Sequence, residues 1–227
     1  MKPFLALLLL SMPSALTAQV FEGAQQQIST NPAQYAFSGF NLRYSEMRGR
    51  YRMGLDLGFR PSYCDGCPIN GSDGIAGSYS AQNFFNYSYK GLTLGSFFDH
   101  FTRNGKGFIS AQPYFRYWWF NRTQLGYDNV EGYSFRGLRS ETNRVLGIRL
   151  LAGGSRSLWD KQETKGILDI SVGPGLMYRW TRYTTHRGIV GVTYHENYTE
   201  KGKGIVHPVI HLRLDFTLVF KKQAKGI

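Results

Sequence analysis

Residues Val206 to Phe220 read VHPVIHLRLDFTLVF. The even positions are Val206, Pro208, Ile210, Leu212, Leu214, Phe216, Leu218 and Phe220, all apolar. The odd positions include His207, His211, Arg213, Asp215 and Thr217. A β-strand sends successive side chains to opposite faces, so this segment predicts one greasy face and one charged face. The same split recurs upstream. Leu168, Ile170, Val172, Leu176, Tyr178 and Trp180 oppose Asp169, Ser171, Gly173, Gly175 and Arg179. Tyr51, Met53, Leu55, Leu57 and Phe59 oppose Arg52, Gly54, Asp56 and Gly58, and Phe40, Leu42 and Tyr44 oppose Asn41, Arg43 and Ser45. Further alternation runs from Ile109 to Trp119 and from Leu146 to Leu158, with weaker versions at Tyr79–Tyr89 and Leu92–Phe101.

These eight segments predict an all-β chain of eight antiparallel strands. Composition agrees. The 227 residues include 27 Gly and are 15% aromatic, and no apolar run of bilayer-spanning length follows the first 20 residues. Helical membrane proteins, coiled coils and disordered tails are thereby excluded. The visible turns are 48–50, 90–91, 103–107 and 160–166; longer connections fall at 61–75, 122–143 and 184–204. Short and long connections do not alternate cleanly on this count, which leaves ten strands open, with an extra hairpin inside 122–143.

Alternation alone fits a soluble barrel with a greasy inside or a transmembrane barrel with a greasy outside. Three features favour the second. Several segments are at least as long as the roughly 9–11 residues that a tilted strand needs to cross a bilayer. The polar faces carry small residues such as Gly54, Gly58, Gly95, Gly147, Gly153, Gly173 and Gly175, suited to a narrow interior. Aromatics gather at segment ends: Tyr117, Trp119 and Phe120; Tyr178, Trp180 and Tyr183; Trp159; Phe220.

The N-terminus reads MKPFLALLLLSMPSALTA. Lys2, the apolar run Phe4–Leu10 and the small residues Ser14–Ala18 have the form of a secretory signal peptide. The expected organisation is a signal peptide at 1–18, a periplasmic N-terminal segment at 19–34, a β-barrel at 35–220 and a basic tail at 221–227. Cleavage after Ala18 removes Lys2 and takes the net charge from +12 to 26 − 15 = +11.

With these residues in view, the chain resembles the small outer-membrane β-barrel proteins of Gram-negative bacteria. The likeness rests on the signal peptide, HLRLDFTLVF (His211–Phe220), GPGLMYRW (Gly173–Trp180) and QPYFRYWWF (Gln112–Phe120), the last being similar to strands in uncharacterised families of such barrels. The resemblance implies an outer-membrane location and assembly by periplasmic chaperones and the barrel-insertion machinery. It makes Phe220 the C-terminal aromatic insertion signal, although the tail Lys221–Ile227 departs from the pattern.

If the barrel spans a membrane, its inward faces carry Arg43, Arg52, Arg116, Arg149, Arg179 and Arg213 with Asp56, Asp99, Asp169, Asp215, His207 and His211. Burial favours mutual pairing of these charges, and a narrow anion-preferring passage is the functional alternative. Basic residues in the connections would attract lipopolysaccharide phosphates or other anionic polymers, while nothing marks a nucleic-acid site. Cys64 and Cys67 share a tight turn; in an oxidising compartment they predict a disulfide, with thiol–disulfide exchange or half a zinc site as alternatives. His207, His211 and Asp215 share a face, yet no nucleophile motif or metal motif accompanies them. The expectation is a non-enzymatic barrel of structural or transport-accessory type, without cofactor or metal. A soluble periplasmic lipocalin-like barrel and a barrel-embedded lipid-modifying enzyme are the rivals.

Overall fold

The computed structural model describes residues 25–32, 39–61, 69–72, 90–128, 134–161, 163–190, 192–202 and 204–220. The signal peptide, the Cys64–Cys67 turn, the segment Tyr79–Tyr89 and the tail 221–227 lie outside these residues.

The described chain is all β. Its strands are β1 (Gln25–Thr30), β2 (Phe40–Arg48), β3 (Tyr51–Arg60), β4 (Ile69–Ser72), β5 (Lys90–Phe101), β6 (Gly107–Asp128), β7 (Ser134–Asp160), β8 (Thr164–Val190), β9 (Thr193–Lys201) and β10 (Ile205–Phe220). Antiparallel pairing runs β1–β2–β3–β5–β6–β7–β8–β10 and returns from β10 to β1, so the sheet closes into a ring of eight strands. β9 continues the line of β10 along the upper half of β8, and short β4 pairs parallel with the end of β6.

The stagger of the ring follows from its registers. Ser29 faces Arg43, then in turn Asp56, Gly95, Tyr114, Gly147, Met177 and His207. Ser29 also pairs with Thr217 across the closing seam, which is a stagger of 217 − 207 = 10 residues. Eight strands with that stagger tilt by about 41° and enclose a radius of about 8 Å, using ordinary strand spacings.

Several expectations need correction. The ring starts at Gln25, inside the 19–34 stretch set apart above, because β1 pairs with both β2 and β10. Lys90 and Gly91 form no turn; they open β5 opposite Trp119 and Trp118. The stretch 122–143 holds no separate hairpin: β6 and β7 simply continue through it, past a bulge at Phe120/Thr123. Likewise 184–204 is mostly β8 and β9. Short and long connections still do not alternate strictly, since those after β6 and β8 span only five and two residues, but the two ends differ. The turns after β2, β5 and β7 are tight and lie at the same end as Gln25 and Phe220, whereas the longer connections after β1 and β3 lie at the other. Gly49 (φ 58°) and Gly105 (φ 67°) serve two of the tight turns with left-handed backbone that other residues resist.

The wall is uneven. β1 has six residues, and β7 and β8 have 27 each. Among the described residues, the stretch Ile205–Asp215 of β10 is bounded by β8 on one side only. Pro208, which offers no N–H to a neighbour, sits in that stretch, where a sheet edge tolerates it.

Candidate functional site

The closed sheet has its faces inverted relative to a soluble protein. Leu42, Leu57, Leu94, Ile109, Leu150, Ile170 and Val172 are exposed on the outside, and Ile210 and Leu212 are 85% and 79% exposed. Arg43, Arg52, Asp56, Asp99, Asp169, Arg213 and Asp215 point inward, each 3% exposed or less. Alternation in the sequence fixes this: once a row is set facing inward, its neighbours two residues away follow.

Two charge clusters fill the lower interior, towards the tight turns. In the first, Arg213 bridges Asp56 (Nη1–Oδ2, 2.8 Å) and Asp215 (Nε–Oδ2, 2.5 Å), and Arg43 donates to Asp215 at 2.7 Å. Arg149 reaches Asp56 at 3.3 Å, and the Asn41 amide donates to the same carboxylate. In the second, Arg52 donates to Asp99 and to Asp169, both at 2.7 Å, and Ser155 donates to Asp169. Three Arg and two Asp in the first cluster, with one Arg and two Asp in the second, leave four charges of each sign. Aromatic faces cover the guanidiniums: Arg43 lies 3.6 Å from the Phe97 ring centre and Arg52 lies 5.0 Å from that of Phe101. Such pairs hold because each charge keeps a partner and hydrogen bonds in low dielectric.

The remaining sequence-predicted interior residues lie higher, in a different setting. Arg116 touches no carboxylate among the described residues; it stacks over Tyr114 (4.7 Å) and Trp118 (5.6 Å). Arg179 is half-buried on β8, between Val145 and Ile205. His207 is buried and His211 half-buried, the latter edge-on to Tyr114 at 6.0 Å. His207 and His211 are not joined to Asp215, whose carboxylate is taken by Arg43 and Arg213. Phe220 ends β10, part exposed, opposite Gln26 and Thr164.

Sequence reasoning missed several interior groups. Gln27 and Ser29 lie on the unrecognised β1, and the Ser29 and Thr217 hydroxyls share a hydrogen bond of 2.8 Å across the seam. Asn41 and Ser45 were visible as inward positions of β2 but carry no charge to draw notice. Phe97, Phe101, Phe108 and Tyr114 are inward aromatics, and position parity was the signal that separates them from the outer ones. Outside, Tyr117–Trp119 and Tyr178–Trp180 pair near one rim, and Tyr51–His100 and Trp159–Phe216 near the other.

One pair of catalytic residue types was also unforeseen. Ser140 Oγ and His186 Nε2 lie 2.8 Å apart above the upper aromatics, and the Arg122 N–H donates to the same Oγ. Among the described residues no carboxylate orients His186, so the pair lacks the third member that activates a serine nucleophile. Nor does any group of three potential metal ligands occur among them. No family model, curated protein or solved structure matches the chain.

Proposed function

We propose that this protein is a transmembrane β-barrel of the Gram-negative outer membrane, non-enzymatic, with a structural or transport-accessory role. The observation that carries the reading is the inverted sheet: exposed apolar side chains outside, paired charges inside. In water such an outer face is costly, at roughly 25 cal/mol for each Å² of apolar surface left exposed. In lipid it is the required face, and closure of the ring through Phe216–Phe220 pairs the backbone of the lower wall.

Dimensions support it. Ten residues of β3 tilted by about 41° climb about 25 Å, the height of the apolar band on outer-membrane barrels. The aromatic pairs at the two rims stand where headgroups meet hydrocarbon. Tight turns and both strand termini at one end, with long strands at the other, fit the arrangement in which tight turns face the periplasm. A lipocalin-like carrier needs an apolar lumen, and Arg–Asp pairs occupy that space here.

Arg144 is exposed on β7 level with the upper aromatics, between Tyr117 and Trp180, and Arg182 and Lys201 are exposed just above them on β8 and β9, directly opposite each other. At headgroup depth these cations suit the phosphates of lipopolysaccharide. The test of the reading is membrane fractionation of the expressed full-length chain with heat-modifiable migration on SDS gels. Outer-membrane recovery and a faster-migrating unheated band are expected. Recovery in the soluble periplasmic fraction without detergent overturns it.

A further inference from the structure

The lower interior is electrically balanced, and the layer above it is not. Tyr114, Arg116, Arg149 and His211 converge there from β6, β7 and β10. Arg116 and Arg149 lie 4.7 Å and 5.1 Å from the Tyr114 ring, and the His211 ring stands edge-on to it at 6.0 Å. Two of these side chains pack tightly over glycines in the wall. A Cβ on Gly147 would sit 2.6 Å from the Tyr114 hydroxyl, and one on Gly175 would sit 2.8 Å from His211 Nε2. Only glycine lets those two groups lie against the wall.

Three polar atoms here have no hydrogen-bond partner among the described residues. The Tyr114 hydroxyl, Arg149 Nε and His211 Nε2 are buried without a hydrogen-bond partner. Tyr114 and Arg149 are themselves 3% and 6% exposed. Buried polar atoms are satisfied in the great majority of cases, so several orphans in one layer call for a partner that the described residues do not supply. Two are donors outright, the imidazole is a donor in one tautomer or when protonated, and Arg116 adds a guanidinium held only by aromatic faces. Arg149 already reaches Asp56 from this layer, so the unpaired charge is that of Arg116, and a set of donors around it is the recognition chemistry of an oxyanion.

We propose that this layer is a binding site for a phosphoryl group, entered from the end opposite the tight turns and floored by the Asp56 cluster. A phosphoryl group offers several acceptor oxygens, enough to engage the guanidiniums, the phenol and the imidazole together. Arg116 and His211 are only half-buried, so the layer is reachable from above, while Asp56 and Arg213 beneath are sealed. The assignment rests on the ring geometry and not on membrane insertion, so fractionation and binding can fail independently.

The test is calorimetric titration of the full-length chain, folded in non-ionic detergent, with inorganic phosphate at fixed ionic strength. A second arm uses a long-chain alkyl phosphate carried in the detergent micelle. Saturable one-to-one binding of phosphate is expected, weakened about tenfold or more in Arg116→Gln, less in Arg116→Lys and measurably in Tyr114→Phe. Arg103→Gln, in an exposed tight turn, should leave it unchanged. Phosphate alone binding assigns a free solute; both binding extends the site to a phosphoryl headgroup. Heat modifiability checks that each variant is folded, and Tyr114→Phe keeps the ring that packs against Gly147. Absence of saturable phosphate binding by the native chain overturns the proposal, as does equal loss in Arg103→Gln or full affinity in folded Arg116→Gln.

Discussion

Substituting Asp56 by Asn should be far more damaging than substituting Asp99 by Asn, although both carboxylates are buried and both bind arginine. Asp56 lies in a cluster of three arginines and two aspartates and takes contacts from Arg213, Arg149 and Asn41. Without its charge, Arg43 and Arg213 keep only Asp215, Arg149 loses the carboxylate it reaches, and the buried excess rises from one positive charge to two. Removing one partner of a buried ion pair costs about 3–5 kcal/mol. Asp99 lies in the opposite balance, one arginine with two aspartates. Its neutralisation leaves Arg52 and Asp169 as a matched pair. Asp99 Oδ1 has no hydrogen-bond partner to lose, so the cost should stay below about 1.5 kcal/mol, close to that of one modest hydrogen bond. The assay is urea unfolding of the protein reconstituted in lipid vesicles, followed by tryptophan fluorescence. With a slope of about 2 kcal/mol per M, Asp56→Asn should lower the midpoint by about 1.5–2.5 M and Asp99→Asn by less than about 0.8 M. Equal shifts, or a larger shift for Asp99→Asn, would refute the view that net charge within each cluster sets its worth.

Leu212→Arg places a charge midway up the outer face and should cost about 2–4 kcal/mol in vesicles, as at a bilayer midplane; a soluble protein would tolerate it at so exposed a position. Gly147→Ala puts a Cβ 2.5 Å from Tyr114 Cζ and should destabilise by about 1–3 kcal/mol, with Tyr114→Leu in the same chain recovering most of the loss in a double-mutant cycle. Phe220→Ala should slow insertion when the barrel-insertion machinery is supplied, while the folded product keeps its heat-modifiable migration. Vesicles carrying the protein should show no swelling with small sugars, because side chains fill a ring of this radius; rapid swelling would mean that the interior is open.

The sequence discloses faces well and partners poorly. β2, β3 and β10 alternate because each has lipid-type residues on one side and charges on the other, so Leu42 next to Arg43 or Leu212 next to Arg213 announces both faces at once. β1 reads QQQIST, with Ile28 its only large apolar residue, and the strand that closes the ring passes for a linker. The upper parts of β6, β7 and β8 and all of β9 escape for a related reason. Above the apolar band both faces of the wall are wet, so residues such as Arg182, Tyr183 and Thr184 show no period of two. Parity places Arg43 and Asp215 on the inner face, yet their 2.7 Å contact joins residues 172 apart and depends on a register set at the closing seam. Nothing local to either residue contains that register.

That register also decides where the positive excess can act. A strand tilted by about 41° climbs about 2.5 Å per residue, and each lateral step between paired residues adds about 3 Å. On that scale Asp56, Asp99, Asp169 and Asp215 fall within about 8 Å of one level, although they come from four different strands. Arg116, Arg179 and His207 stand about 11–18 Å above the highest of them. An anion that has passed Arg139 and Glu141 near the upper mouth therefore meets Arg179, His207 and Arg116 next and a neutral, side-chain-filled floor last. A through passage would need the opposite arrangement, with the balancing charges spread along the axis so that an ion is handed on. The four aspartates gathered at one level, well below the buried Glu141, favour a site that holds its ligand over a channel that conducts it.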